Sequence, residues 1–227
     1  MIRAAVLIKI FLVILFVYPF VLFSEIPLFL PPKDWKESPL PEHLPRIKIG
    51  FLAKTQLSLS PSINLAEEKT SLSIQSYLKQ LQEIYTQNPM NRWQKMGTIQ
   101  TKAGTAYITL LDTSTSAGTA RILQSIFIKH DTVYILTGAV AQKDFGQYQD
   151  IFLESFRSFS LVESLEDVIE CPKKKAQLQQ KTHQYRASPT KKMEKALLAY
   201  LRSSFSEQGS YWQLLILKQA MRGQNTE

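Results

Sequence analysis

Residues 93–140 constrain the fold most strongly, because apolar and polar residues alternate there and the breaks between the alternating segments are short. Four segments show this period of two: WQKMGTIQT, GTAYITLLD, TARILQSIFIK and TVYILTGAV. Parallel neighbours would need a crossover of a dozen or more residues, whereas these gaps have the length of hairpin loops. The sequence therefore predicts an antiparallel meander of four strands.

Two further strands are predicted before the meander. In RIKIGFLA, the residues Ile47, Ile49 and Phe51 fall on one face, and SINLAEEK shows a weaker alternation. We therefore expect a sheet of about six strands.

Two amphipathic helices are predicted to flank the meander. The first, in SLSIQSYLKQLQEIYTQ, ends at Asn88-Pro89 and has an apolar stripe formed by Ile74, Tyr77, Leu78, Leu81, Ile84 and Tyr85. The second, in KDFGQYQDIFLESFRSF, begins after the predicted N-cap Asp144 and has an aromatic stripe formed by Phe145, Tyr148, Phe152, Phe156 and Phe159. Burying one such ring is worth roughly 1.5–3 kcal/mol. The stripe thus favours a helix docked on a sheet over an aromatic binding groove.

The third strand of the meander places apolar residues on both faces of the sheet, since Leu123 and Phe127 lie opposite Ile122, Ile126 and Ile128. Helices on both faces would cover these residues. The predicted fold class is α+β: an antiparallel sheet of about six strands, covered by helices on both faces, with a helical C-terminal extension.

Three stretches of the sequence carry a likeness to a known family: PPKDW at 31–35, SPSINLAEEKTSLSIQSYLKQ, and DTVYILTGAVAQKDFGQYQDIFLESFRSFSL. They resemble the opening element, the strand with its serine-started helix, and the last strand with the closing helix of the PsbP-like superfamily of αβα sandwiches. The resemblance covers residues of about 31–162. It implies a non-enzymatic binding or assembly role, and it supplies no catalytic or cofactor residue.

The charge of the chain is unevenly distributed. The 227 residues carry a formal net charge of +8, and residues 171–227 hold eleven basic and three acidic residues. The last quarter therefore accounts for the positive excess.

Residues 26–46 hold six prolines, and we expect Trp35 to anchor this stretch at the domain edge. The predicted parts are a signal segment at 1–24, a Pro-rich linker at 25–46, a sandwich domain at 47–162 and a basic, amphipathic helical extension at 163–227.

The N-terminus is typical of a targeting segment. Arg3 and Lys9 precede the apolar run IFLVILFVYPFVLFS, which is shorter than the roughly 20 residues needed to span a bilayer. It predicts a signal peptide cut after Ser24, or an uncleaved signal anchor. Either alternative places the rest of the chain in the periplasm, released or anchored to the inner membrane.

The basic extension is the strongest candidate for function. TKKMEKALLAYLRSSF and SYWQLLILKQAMRG are basic amphipathic segments, and such segments lie on anionic membranes, dock into a partner or pack on their own domain. The sequence leaves these three alternatives open. The candidate partner or membrane surface consists of Lys191, Lys192, Lys195, Tyr200, Arg202, Tyr211, Trp212, Lys218 and Arg222.

Catalytic, metal-binding and cofactor motifs are missing from the sequence. His43, His130 and His183 are far apart, and no Gly-rich phosphate loop or nucleophile elbow occurs. DTSTSAGT at 112–119 is predicted to be a turn. We expect no enzymatic activity, no cofactor and no metal site.

Cys171 and the acidic residues before it offer little chemistry. A single cysteine excludes an intramolecular disulfide. We expect Lys173–Lys175 to neutralise the neighbouring carboxylates, in preference to a calcium-like site; these carboxylates belong to Glu163, Glu166, Asp167 and Glu170.

The leading hypothesis is an exported envelope protein that acts as a non-catalytic binding or assembly module for a protein complex. The alternative is a periplasmic carrier of a small hydrophobic ligand, which would need a closed apolar cavity between helix and sheet. The positive charge also suggests a nucleic-acid partner, with Tyr185, Tyr200 and Trp212 as candidate stacking rings. The predicted export of the chain argues against such a partner. No small-molecule substrate is identified.

Overall fold

The computed structural model describes residues 25–39 and 45–222, so the predicted signal segment at 1–24 and His43 lie outside the described residues. The strands are β1 (Ile26–Leu28), β2 (Lys36–Glu37), β3 (Ile47–Leu52), β4 (Ser62–Lys69), β5 (Arg92–Thr101), β6 (Gly104–Thr115), β7 (Gly118–Lys129), β8 (Thr132–Ala141) and β9 (Ser160–Val162). The helices are α1 (Ile74–Thr86), α2 (Phe145–Arg157), α3 (Pro172–Ala187), α4 (Lys191–Ser204) and α5 (Gly209–Arg222).

Seven strands form one antiparallel sheet in the order β2-β3-β4-β8-β7-β6-β5. The last four are the predicted meander, which is confirmed. DTSTSAGT, predicted as a turn, is mostly strand, because Thr115 pairs with Gly118 across a two-residue turn. Its β-branched threonines favour the extended backbone. At the opposite end of the sheet, His130 occupies a tight turn with φ of 54° and is exposed.

Helices cover both faces of the sheet, which confirms the predicted α+β class. On the first face, α2 packs on β5, β7 and β8. On the second face, Tyr77 and Leu78 of α1 pack on Ile126 and Val133.

The aromatic stripe of α2 is the docking face that its spacing predicts. Phe145, Phe152, Phe156 and Phe159 are buried, and Tyr148 is half-buried. A Cβ atom placed on Gly138 would lie 2.4 Å from the ring of Phe152, so β8 needs glycine where the helix approaches. Asp144 sits at the N-cap position but makes no side-chain capping hydrogen bond, because the chain enters α2 through a 3-10 turn at Gln142–Asp144.

Residues 25–39 belong to the folded domain, which corrects their prediction as a linker. β1 pairs with β9 in a separate two-stranded sheet. Phe29 is only 2% exposed, and its ring lies 5.3 Å from that of Tyr211 and 6.0 Å from that of Phe51. Trp35 packs on Phe152 at 6.2 Å, at the domain edge as expected. Prolines prevent a long strand here, but they do not prevent burial.

The C-terminal extension shares the core of the sheet. Its buried residues form one cluster with Phe51, Leu123 and Phe152, and they include Leu178, Tyr185, Leu197, Leu201, Phe205, Tyr211, Trp212, Ile216 and Ala220. The indole N–H of Trp212 donates to the carbonyl of Leu165 over 2.6 Å. The predicted boundary near residue 163 therefore separates two halves of one core.

The substitution Gly138→Ala tests the contact between α2 and β8. Because the new methyl group would overlap the Phe152 ring, we expect a loss of about 1–3 kcal/mol in the free energy of unfolding, measured by urea denaturation. Gly146→Ala, in α2, is the control, since a Cβ there meets nothing within 4 Å. We expect this substitution to raise the free energy of unfolding by up to about 1 kcal/mol. Equal effects of both substitutions would contradict the predicted overlap.

The substitution Trp212→Ala tests whether the extension and the sheet unfold together. We expect the loss of this ring to cost about 3–5 kcal/mol and to shift a single transition, monitored by both circular dichroism and fluorescence. Gln219→Ala, at an exposed position of the same helix, should leave the transition unchanged. A separate early transition of the helices, with the sheet transition unmoved, would be the contrary result.

Candidate functional site

The structure places the predicted surface residues in two groups. Lys191, Lys192, Lys195, Arg202, Lys218 and Arg222 are exposed, and Tyr200 is half-buried. Tyr211 and Trp212 are only 4% and 1% exposed, so they cannot form the partner or membrane surface predicted for them. They are buried because α5 is apolar on several sides and packs against Phe29 and Phe205.

Six exposed basic residues on the C-terminal half of α3 and on α4 form what we call the basic surface: Lys181, Arg186, Lys191, Lys192, Lys195 and Arg202. Thr190 caps α4 through a hydrogen bond from the N–H of Met193. Leu197 and Leu201 then face the core, which turns the basic residues of α4 outward. Glu194 is the single acidic residue on these two helices.

Three other basic residues of the extension, Lys174, Lys175 and Lys218, are in ion pairs, whereas Lys173 and Arg222 have no acidic side chain within 4.0 Å among the described residues. Lys174 pairs with Glu207 at 3.3 Å, and Lys218 pairs with Glu37 at 3.6 Å. Among residues 25–39 and 45–222, no residue of the basic surface has an acidic side chain within 4.0 Å of its charged nitrogens. These six positive charges are thus uncompensated by a direct contact.

Of the four carboxylates before α3, a lysine lies near two, Glu166 and Asp167, whereas Glu163 and Glu170 have no basic side chain within 4.0 Å among the described residues. Asp167 and Ser164 form a capping box, and Lys175 lies 4.0 Å from Glu166 and 3.9 Å from Asp167. Within the described part of the chain, no three metal-ligating side chains come together.

A second candidate is a groove of about 1180 Å³ between α1 and the second face of the sheet, which we call the α1 groove. It is lined by Asn64, Ala66 and Glu68 of β4, by Ile122 and Gln124 of β7, by Ile135 and Thr137 of β8, by Leu111, and by Tyr77, Leu81, Ile84 and Tyr85 of α1. Its main cause is the position of α1, which has its strongest sheet contact with the edge strand β5. Only Tyr77 and Leu78 of its apolar stripe are buried, and Ile84 is 51% exposed.

Hydrogen bonds near both ends of α1 fix its position over the sheet. The hydroxyl of Tyr77 donates to Glu68, which is also paired with Arg46. Burial, and then the hydrogen bond to Glu68, raises the pKa of Tyr77 far above its usual range, so this phenol stays protonated. At the other end of α1, the side-chain amide of Asn91 donates to the carbonyl of Tyr85 over 3.0 Å. The groove is therefore preformed.

Sequence reasoning missed the α1 groove. Two signals were available: an apolar stripe on α1 longer than its buried part, and the polar residues Asn64 and Thr137 at strand positions facing that stripe.

The described histidines do not converge. His130 and His183 are both exposed, the first in a turn of the sheet and the second on α3.

No helix in residues 25–39 and 45–222 has the length and apolar character needed to cross a bilayer.

Cys171 supplies a test of the local electrostatics beside the extension. It is exposed just before α3, and the backbone N–H groups of Lys174 and Lys173, with their positive charges, lower the pKa of its thiol. The rate of alkylation by iodoacetamide against pH should therefore have a lower midpoint in the folded chain than in the chain unfolded in urea. Since the chain has one cysteine, labelling reports this site alone. An equal midpoint in the two states would contradict the expected thiolate stabilisation.

Comparison with known proteins gives a likeness of fold only. No protein-family model matches the sequence, and no curated protein matches it. Similar solved structures include LpqN, involved in cell envelope biogenesis of Mycobacterium tuberculosis (13% identity, TM-score 0.46, covering 61% of this chain and 84% of LpqN). They also include the PsbP protein CyanoP of Synechocystis (11% identity, TM-score 0.42, covering 63% of this chain and 95% of CyanoP). A third is the Ran-binding protein Mog1p of Saccharomyces cerevisiae (12% identity, TM-score 0.39, covering 61% of this chain and 96% of Mog1p). The presence of a PsbP protein agrees with the resemblance stated from the sequence, and at these identities and TM-scores the likeness carries no conclusion about function.

Proposed function

We propose that this chain is an exported, non-catalytic binding module of the bacterial envelope that engages an acidic protein partner through the basic surface. The observation that carries the proposal is the set of six positive side chains on α3 and α4 without direct acidic contacts among the described residues. Such a one-sided field steers association with a negatively charged surface and fixes its orientation.

Burial of the apolar stripes favours a protein over insertion into a membrane. An amphipathic helix binds a bilayer by burying its apolar face among the lipids. Here Leu178, Leu197, Leu201 and Trp212 are already in the core. The exposed side of α4 carries positive charges without ion pairs, which points to a contact with a partner made by ion pairs.

The free edges of the sheet support the same choice of surface. β2 is an edge strand of only two residues. The other edge, β5, has a bulge between Lys95 and Gly97, and bulges of this kind hinder pairing with a further strand. Strand addition at an edge is therefore disfavoured relative to docking on the helices.

The carrier alternative needs a closed apolar cavity between helix and sheet, and within the described residues the space between α2 and the sheet is filled. Phe152 and Phe156 are fully buried there, and the Phe152 ring fills the space above Gly138. A non-catalytic role is supported by the separation of His130 from His183. Export rests on the N-terminal sequence, with its positive start and short apolar run.

Charge reversal tests the proposal in cells. A photo-crosslinking residue at Ala196, exposed on α4, should give a discrete protein adduct in the envelope fraction. The triple variant Lys191→Glu, Lys192→Glu and Lys195→Glu should reduce that adduct at least about tenfold, because three attractive charges become repulsive. Raising the salt concentration before irradiation should weaken the adduct as well.

A matched triple variant separates the surface from net charge. Lys54→Glu, Lys102→Glu and Lys143→Glu change the net charge equally at exposed positions elsewhere, and they should leave the adduct intact. Equal loss in both triples, or an adduct insensitive to the first triple, contradicts the proposal. Binding of the purified protein to anionic vesicles, with no protein adduct, would assign the basic surface to lipid and refute a protein partner.

A further inference from the structure

We infer that the α1 groove is a binding site for an uncharged amphiphile, a small molecule with an apolar chain and a neutral amide or hydroxyl head group. This site lies on the second face of the sheet and is independent of the partner proposed for the basic surface. Its volume of about 1180 Å³ is slightly above the roughly 300–1,000 Å³ of pockets that hold small molecules.

The floor of the groove has one polar row between apolar rows. Asn64 on β4 pairs with Thr137 on β8, and Thr137 pairs with Gln124 on β7. The neighbouring row towards one end is Ala66 and Ile135. Towards the other end, Ile122 pairs with Leu111. A ligand in the groove therefore meets hydrogen-bonding groups at one level and aliphatic surface on either side.

Two members of the polar row have unused hydrogen-bonding capacity. Gln124 accepts from the hydroxyl of Thr109 over 3.3 Å and donates to the hydroxyl of Tyr85 over 3.4 Å. Asn64 and Thr137 are half-buried, and their side chains make no hydrogen bond to any residue in the described ranges. Both side chains donate and accept. They match a head group that does the same, as an amide or a hydroxyl does.

The charges around the groove favour a neutral head group over a charged one. Its charged lining residues are Arg46, Glu68 and Lys69. Arg46 is paired with Glu68, and Lys69 is paired with Asp131 at 2.8 Å. A carboxylate or an ammonium group would enter without a free counter-charge and would lose hydration with no ion pair in return.

The apolar chain has a wall of its own on α1. Leu81, Ile84 and Tyr85 line the groove opposite Ile122 and Ile135. Ile84 is 51% exposed in the structure, and a chain lying along this wall would remove its apolar surface from water. The site thus combines an aliphatic wall with two neutral polar anchors.

Three probes of equal chain length test the head-group preference: decanamide, decanoate and decylammonium. Titration of the full chain, followed by calorimetry and by shifts of the Asn64 side-chain amide in NMR spectra, should give an affinity for decanamide at least about tenfold tighter than for either ion. Equal affinity for the three probes, or no binding of decanamide, would overturn the inference.

Substitutions locate the site. Ala66→Trp, which fills the floor, should abolish decanamide binding, whereas Thr98→Trp, exposed on β5 and outside the groove, should leave it unchanged. Asn64→Leu with Thr137→Val should keep binding of the chain but reduce the preference for the amide at least about fivefold. Unchanged binding in Ala66→Trp places the ligand elsewhere and refutes the assignment. The triple lysine variants serve as folded controls, because their binding of decanamide should not change whatever becomes of the protein adduct.

Discussion

The structure depends on the apolar contact between the first face of the sheet and the elements that converge on it from three parts of the chain. The N-terminal segment supplies Phe29, α2 supplies Phe152 and Phe156, and α5 supplies Tyr211 and Trp212. Each of these elements alone is too short or too polar to bury its apolar residues. Their free energy of folding comes from sharing one core.

The distribution of charge on the surface follows from this shared core. Once the apolar stripes of α3, α4 and α5 are buried, the exposed sides of these helices are mainly polar and carry their basic residues. The same arrangement leaves the second face of the sheet to α1, which covers Ile126 and Val133 but not Asn64, Ala66 and Thr137. The basic surface and the α1 groove are thus two consequences of where the helices pack.

The sequence was informative wherever local periodicity decided the structure. The alternation in residues 93–140 predicted the meander, and the spacing of Phe145, Phe152 and Phe156 predicted the buried face of α2. A period of two or of 3.6 residues fixes which side chains share a face, whatever the rest of the chain does. The partner or membrane surface assigned to Lys191 and its neighbours stays a prediction.

The predictions that failed concern residues such as Phe29 and Trp212, whose burial depends on contacts with distant parts of the chain. Phe29 is buried because Tyr211 lies against it, and nothing in the proline-rich stretch around Phe29 reports that contact. Trp212 on a basic amphipathic segment fits burial, a partner or a membrane equally well until its neighbours are known. The α1 groove was unpredictable in its shape, since it depends on how far one helix extends over a sheet.

Native-state hydrogen exchange tests the shared core most directly. The backbone amides of Ile216 and Leu217 in α5 should open with the same free energy as those of Leu123 and Ile126 in β7, because both sets exchange only by global unfolding. If the α5 amides exchange through a separate opening of markedly lower free energy while the β7 amides stay protected, the extension is a peripheral unit and the account of a single core is wrong.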